Sequence, residues 1–254
     1  MIGLSAARFY HAAVGAVMLA TIGTACLGVT RASAQAGAPD YAALMAAPDR
    51  SDADRQADKR RDPVPFLTFA GLRPGMKVLD MGAGAGYSTE LDARAVGPTG
   101  TVYGQNSPDL SERGKAAFAA RLATPAMKNS VGLSRPFDDP LPAEVHDLDV
   151  ITFLFFYHDT TYMEVDRAKM DRILFAALKP GGTLLIADHA AKAGSDITVG
   201  KTLHRIDEST LRREVEAAGF KLIAEGDFWH HPEDVRDFPT LRPTGPVDEF
   251  VLPM

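Results

Sequence analysis

Past residue 66, short apolar runs alternate with amphipathic stretches. Residues 77–81 are a Val/Leu-rich run bounded by Gly75 and Gly82, which predicts a short buried strand. A helix follows over 87–96, closed by Gly97-Pro98, then a strand over 101–103 and a helix over 110–122. A short third strand falls near 131–133. Residues 148–156 are apolar apart from Asp149 and Thr152, as expected for a central strand covered on both faces. Met170, Ile173, Leu174, Ala177 and Leu178 recur at helical spacing before Lys179-Pro180-Gly181-Gly182 stops that helix. A fifth strand is predicted over 183–187 and a helix over 208–218, and 220–228 with 249–252 close the sheet. Strand and helix in alternation mean a mainly parallel sheet with helices on both faces.

The first 36 residues are different material. Arg8 is the only cationic side chain ahead of an apolar run reaching Val29, and Ala34-Gln35-Ala36 is a small-x-small cleavage pattern. This is the layout of a secretory signal peptide, with an uncleaved membrane anchor as the alternative. Cleavage gives an exported, periplasmic protein; membrane contact is expected only through the N-terminal segment if it stays uncleaved. Cleavage also removes Cys26, the one cysteine, and with it disulfides and thiolate metal sites. Residues 37–65 are polar and rich in Asp and Arg, which predicts short helices laid over the main domain (66–254) and ended by Asp62-Pro63-Val64-Pro65.

Composition changes this picture little. The 254 residues are 46% hydrophobic and 24% charged, ordinary for a soluble globular chain, and the net charge of -6 argues against nucleic acid as a partner. The basic run Lys59-Arg60-Arg61 stands among Asp52, Asp54, Asp58 and Asp62 and reads as a solvated, self-paired helix face.

Candidate chemistry starts between the first strand and its helix, at Asp80-Met81-Gly82-Ala83-Gly84-Ala85-Gly86. Glycines belong where a turn needs unusual backbone angles and a ligand nears the main chain, and the helix N-terminus behind them suits an anion. The dinucleotide spacing G-x-G-x-x-G fails in both frames, since its third position falls on Tyr87 or Thr89. The D-x-G-x-G-x-G run, with Ala70 to Val78 before it and Lys179-Pro180-Gly181-Gly182-Thr183 after, resembles the class I S-adenosylmethionine-dependent methyltransferases. The resemblance covers 66–254. It implies a Rossmann-like, doubly wound seven-stranded sheet, with S-adenosylmethionine as cofactor. Gly82, Gly84 and Gly86 would pass under the methionine part of the cofactor, with Asp80 near its amino group.

Two positions depart from the family pattern. The second strand usually ends in an acid that takes the ribose hydroxyls, and Asn106 stands there. Asn lacks the carboxylate's charge and second acceptor, which implies weaker cofactor binding. In Phe137-Asp138-Asp139-Pro140, Asp138 or Asp139 takes the place of the adenine-contacting acid, or forms a solvated turn.

The fourth strand ends in Phe155-Phe156-Tyr157-His158-Asp159, and ligands of doubly wound sheets bind at such ends. Tyr157 offers an aromatic face to a sulfonium, and His158 a base for an acceptor proton. Asp159 orients that histidine or caps the next helix. Asp188-His189 ends the fifth strand, so His158, Asp159, Asp188 and His189 could converge on a divalent cation; spacing across two strands is not diagnostic, and no metal ligand is assigned. His230-His231 reads as exposed loop. The expected activity is methyl transfer to a small-molecule nucleophile. The alternatives are an exported binding protein that has lost catalysis, and a metal-assisted hydrolase. Neither the acceptor nor the oligomeric state is legible.

Overall fold

A computed structural model describes residues 37–254; the signal-like segment, with Cys26, lies outside the described residues. The elements are α1 (Tyr41–Met45), α2 (Asp52–Arg61), α3 (Pro63–Ala70), β1 (Lys77–Met81), α4 (Tyr87–Val96), β2 (Thr101–Asn106), α5 (Glu112–Leu122), β3 (Ser130–Ser134), β4 (Leu148–Leu154), α6 (Arg167–Ala177), β5 (Leu178–His189), α7 (Val199–Leu203), α8 (Glu208–Ala217) and β6 (Glu249–Pro253). They form a six-stranded sheet in the order β3-β2-β1-β4-β5-β6, parallel except for β6.

Alternation along the strands fills two cores, because successive strand side chains point to opposite faces. Ile151 and Phe153 of β4 and Leu184 and Ile186 of β5 pack with Met170, Leu174, Leu211 and Val215 of α6 and α8. Val150, Leu185 and Ala187 face the other way, with Phe66 and Leu67 of α3 and Leu91 and Val96 of α4. Chain order reverses beside β1, whose neighbours β2 and β4 lie on opposite sides, and the crevice at the C-terminal ends of these strands is where such sheets take ligands.

Two expectations are corrected. The seventh strand is absent among the described residues. Segment 220–228 follows β6 with two spaced bonds, Ile223 N–H to the Pro253 carbonyl and Gly226 N–H to the Val251 carbonyl, and forms no continuous ladder. The helix stop expected at Asp62-Pro63-Val64-Pro65 holds for α2, which ends at Arg61, but both prolines lie inside a further helix. Pro63 opens α3, where a missing N–H costs nothing because first-turn amides lack helical partners.

Candidate active site

Between β1 and α4 the chain turns through Gly82, Gly84 and Gly86, with φ of 67°, 56° and 83°. The turn is held by β2. Gly82 N–H donates to Gln105 Oε1 (3.1 Å) and Gly84 N–H to Asn106 Oδ1 (2.8 Å), while Asn106 Nδ2 donates back to the Gly84 carbonyl (3.1 Å). Ala83 N–H donates to the Gln105 carbonyl at 2.9 Å. The three glycines meet different surroundings. A Cβ on Gly86 would stand 2.9 Å from Phe118 and from Arg121, and one on Gly82 3.2 Å from the Phe156 ring. At Gly84 nothing lies nearer than 4.0 Å. That open side belongs to a cavity of about 280 Å3 lined by Gly82, Gly84, Asn106, Asp109, Phe137 and Phe156, among others. The rings of Phe137 and Phe156 stack 4.9 Å apart.

Beyond Phe156 the chain makes a 3-10 turn, Tyr157–Thr161, that carries a polar cluster. Phe155, just before it, has a left-handed backbone (φ 55°), uncommon for a bulky residue and frequent at functional sites. Asp188, fully buried at the end of β5, accepts the His158 backbone N–H (2.8 Å) and lies 2.6 Å from His158 Nδ1. On the other ring edge, His158 Nε2 is 3.3 Å from Asp159 Oδ1 and 3.4 Å from His204 Nδ1. Burial opposes a charge on His158, but the Asp188 and Asp159 carboxylates outweigh it and push its pKa up to about 10. The imidazole therefore holds its proton at neutral pH and is a poor general base there.

Residues 63–125, from α3 through the glycine turn to α5, match the family model of protein-L-isoaspartate(D-aspartate) O-methyltransferases. A ubiquinone/menaquinone biosynthesis C-methyltransferase of Shewanella pealeana is 28% identical over 185 residues, covering 62% of this chain and 71% of that protein. One of the same name from Burkholderia vietnamiensis is 30% identical over 174 residues, 66% of each. In fold, the chain is similar to a SAM-dependent methyltransferase from Aquifex aeolicus (TM-score 0.55, 20% identity, 80% of this chain and 98% of that one). It is also similar to an arsenic(III) S-adenosylmethionine methyltransferase from Chlamydomonas reinhardtii (TM-score 0.56, 19% identity, 86% and 73%). The chain belongs to the class I S-adenosylmethionine-dependent methyltransferase superfamily. S-adenosylmethionine is its cofactor and methyl transfer its chemistry.

Within this methyltransferase the expected site residues divide. Gly82, Gly84 and Asn106 line the cavity, but Asn106 spends its amide on Gly84 rather than standing free for a ribose. Asp109, three residues on, is exposed and lines the same cavity; it is the carboxylate nearest in sequence to the place expected for the ribose acid, set off from the strand by Ser107-Pro108. Asp80 lies behind the turn, 1% exposed, accepting from Ser88 Oγ (2.8 Å), Thr89 Oγ1 (2.6 Å) and Thr152 Oγ1 (3.3 Å). Burial raises its pKa to about 6 against those three donors. Those bonds fix β1 to α4, and the carboxylate lies behind the turn rather than on the cavity that Gly82 and Gly84 line.

Tyr157 is also corrected. Its side chain is wholly buried, and its hydroxyl lies 2.9 Å from Asp171 Oδ2 and 3.0 Å from Glu214 Oε2, so it is core rather than cavity wall. Asp138 does not line the cavity and sits 3.9 Å from Lys169 Nζ. The four-residue His and Asp set is rearranged. His189 turns to Glu249 (3.0 Å) and stacks on Phe155, and His204, absent from the expected set, takes its place. Capping of α6 falls to Asp166, which accepts the Lys169 N–H, rather than to Asp159. Arg61 leaves the expected solvated face. Its guanidinium lies over the rings of Tyr87 (4.9 Å) and Phe155 (5.8 Å), and burial lowers its pKa.

Proposed function

We propose that this methyltransferase moves a methyl group to a small nucleophilic acceptor by in-line displacement, and that it does so after export as a chain beginning near Gly37. The carrying observation is the open side of Gly84, a main-chain approach bounded by stacked aromatic rings. A cradle that a Cβ would fill fits the methionine part of the cofactor. Gly82, Gly84 and Asn106 would hold that part, Asp109 the ribose, and Phe137 and Phe156 the flat or cationic portions. When bound, the cofactor supplies a methyl on a sulfonium: the sulfur–carbon bond breaks as the acceptor–carbon bond forms, and the acceptor's proton leaves to water. The protein's own work is alignment and exclusion of solvent. Orientation alone can contribute ~7–11 kcal/mol, so no strong base is required.

Calorimetric titration with S-adenosylmethionine and its demethylated product tests the site. Wild type should bind both, and Gly84→Ala should lose at least tenfold in affinity while keeping a cooperative thermal transition. Equal affinities would remove the glycine cradle from the site. Binding without turnover against any acceptor class would favour the binding-protein alternative. Export is checked by the intact mass of secreted protein, expected to lack residues 1–36.

A further inference from the structure

The polar cluster on the 3-10 turn has a donor set that methyl transfer does not use. Three atoms from three side chains lie together: His158 Nε2, Asp159 Oδ1 and His204 Nδ1. Their separations are 3.2 Å (Asp159 to His204), 3.3 Å (His158 to Asp159) and 3.4 Å (His158 to His204). Ligands about 2.1 Å from a cation stand roughly 3.4 Å apart in tetrahedral geometry and roughly 3.0 Å apart at octahedral right angles. All three separations fall within that range.

Hydrogen bonding accounts for the 3.2 Å contact of Asp159 with His204, but 3.4 Å between the two imidazole nitrogens is longer than an ordinary hydrogen bond. Asp159 Oδ1 meanwhile already accepts the Tyr162 hydroxyl. Behind the cluster, Asp188 is fully buried and lies 2.6 Å from His158 Nδ1, where it accepts the Nδ1–H and leaves Nε2 facing the other two groups; a cation bound there displaces the Nε2 proton. A carboxylate on the far nitrogen of a histidine is the usual outer partner of a metal-bound imidazole.

The fold is built to bring the third donor in. His204 ends α7 in a left-handed conformation (φ 51°). α7 approaches the 3-10 turn so closely that a Cβ on Gly200 would lie 2.6 Å from the His158 carbonyl. His158 is 2% exposed, whereas the side chains of Asp159 and His204 are 16% and 22% exposed, so one side of the triad is open to solvent.

We propose that His158, Asp159 and His204 bind a first-row divalent transition-metal ion, with Asp188 orienting His158 and water completing the shell. Two imidazoles and one carboxylate suit zinc or iron(II) rather than magnesium or calcium, which prefer all-oxygen sets. Three protein ligands leave positions free for water or an oxygen-bearing ligand.

Full-length protein stripped with a chelator and titrated with Co2+ provides the test, because cobalt reports its own coordination in visible absorption. One equivalent should saturate, with bands of a low-coordinate nitrogen–oxygen site. His204→Gln should weaken Kd at least tenfold, Asp188→Asn should weaken it about 10–100-fold, and His231→Gln should leave it unchanged. A hydrated-ion spectrum with wild type overturns the proposal whatever the variants do, and so does an equal Kd for wild type and a folded His204→Gln. Cofactor titration of the metal-free protein is read separately, so failure here leaves the glycine cradle standing.

Discussion

The glycine turn and the His-Asp-His cluster lie at the ends of neighbouring strands, yet they are built by opposite means. The turn is made by consecutive residues that bond through their own backbone groups: four hydrogen bonds tie Gly82, Ala83 and Gly84 to β2, three of them to the side chains of Gln105 and Asn106. The cluster is made by side chains from three places, the 3-10 turn, the end of β5 and the end of α7. A site built on one turn needs little beyond its own residues and the strand beside it. A side-chain-built site depends on every element that delivers a member.

The contrast is broken most sharply at Asp188. Asp188→Ala strips a buried partner from His158 and should cost about 3–5 kcal/mol in urea unfolding, as removal of one member of a buried ion pair does. The glycine turn makes no contact through that carboxylate. A residual affinity for the demethylated cofactor in the folded variant is therefore expected, and its loss would mean the two regions are one site.

Next in size is Gly86→Ala. Its Cβ meets Phe118 and Arg121 at 2.9 Å in a left-handed conformation, so about 2–4 kcal/mol of stability should be lost. Gly84→Ala adds only the conformational cost, about 1–2 kcal/mol, because its Cβ enters open space. Comparing unfolding free energy with cofactor affinity for the pair separates a packing glycine from a ligand-facing one. Equal destabilisation would collapse the distinction.

A third test concerns Tyr157, which joins the cluster's turn to the core. Burial raises the Asp171 carboxyl beside it to about 7, with Glu214 adding and the Tyr157 hydroxyl and Arg167 opposing. The folded pKa lies above the unfolded value of about 3.9, so folding favours the protonated form and stability falls as pH rises from about 4 through 7. Asp171→Asn should flatten this slope and gain on the order of 2 kcal/mol at pH 8, read as thermal unfolding across pH. An unchanged slope would place the titration elsewhere.

The smallest effect is expected at Asn106, where the structure reverses the sign read from the sequence. An aspartate there keeps the bond from the Gly84 N–H but loses the one to the Gly84 carbonyl, which it would face with like charge. Asn106→Asp should cost about 1 kcal/mol of stability and weaken cofactor binding slightly, measured by calorimetry. Tighter binding would return Asn106 to the role of a diminished ribose acid.

The sequence alone determined the six strands of the sheet, most of the helices and the glycine turn, because periodicity and turn chemistry are local: Val78, Leu79 and Gly82 declare themselves through their immediate neighbours. It also located the end of β4 as chemically interesting. Tertiary structure decided which of those residues meet. Tyr157 points into the core because α6 and α8 supply Asp171 and Glu214, and Arg61 leaves solvent because Tyr87 and Phe155 offer it ring faces. His204 carries no mark in the chain beyond being a histidine, and it stands 46 residues from His158. Only the close approach of α7 that Gly200 permits, and the left-handed close of that helix, bring the two rings together, since a contact between distant segments is set by packing rather than by the residues beside each one.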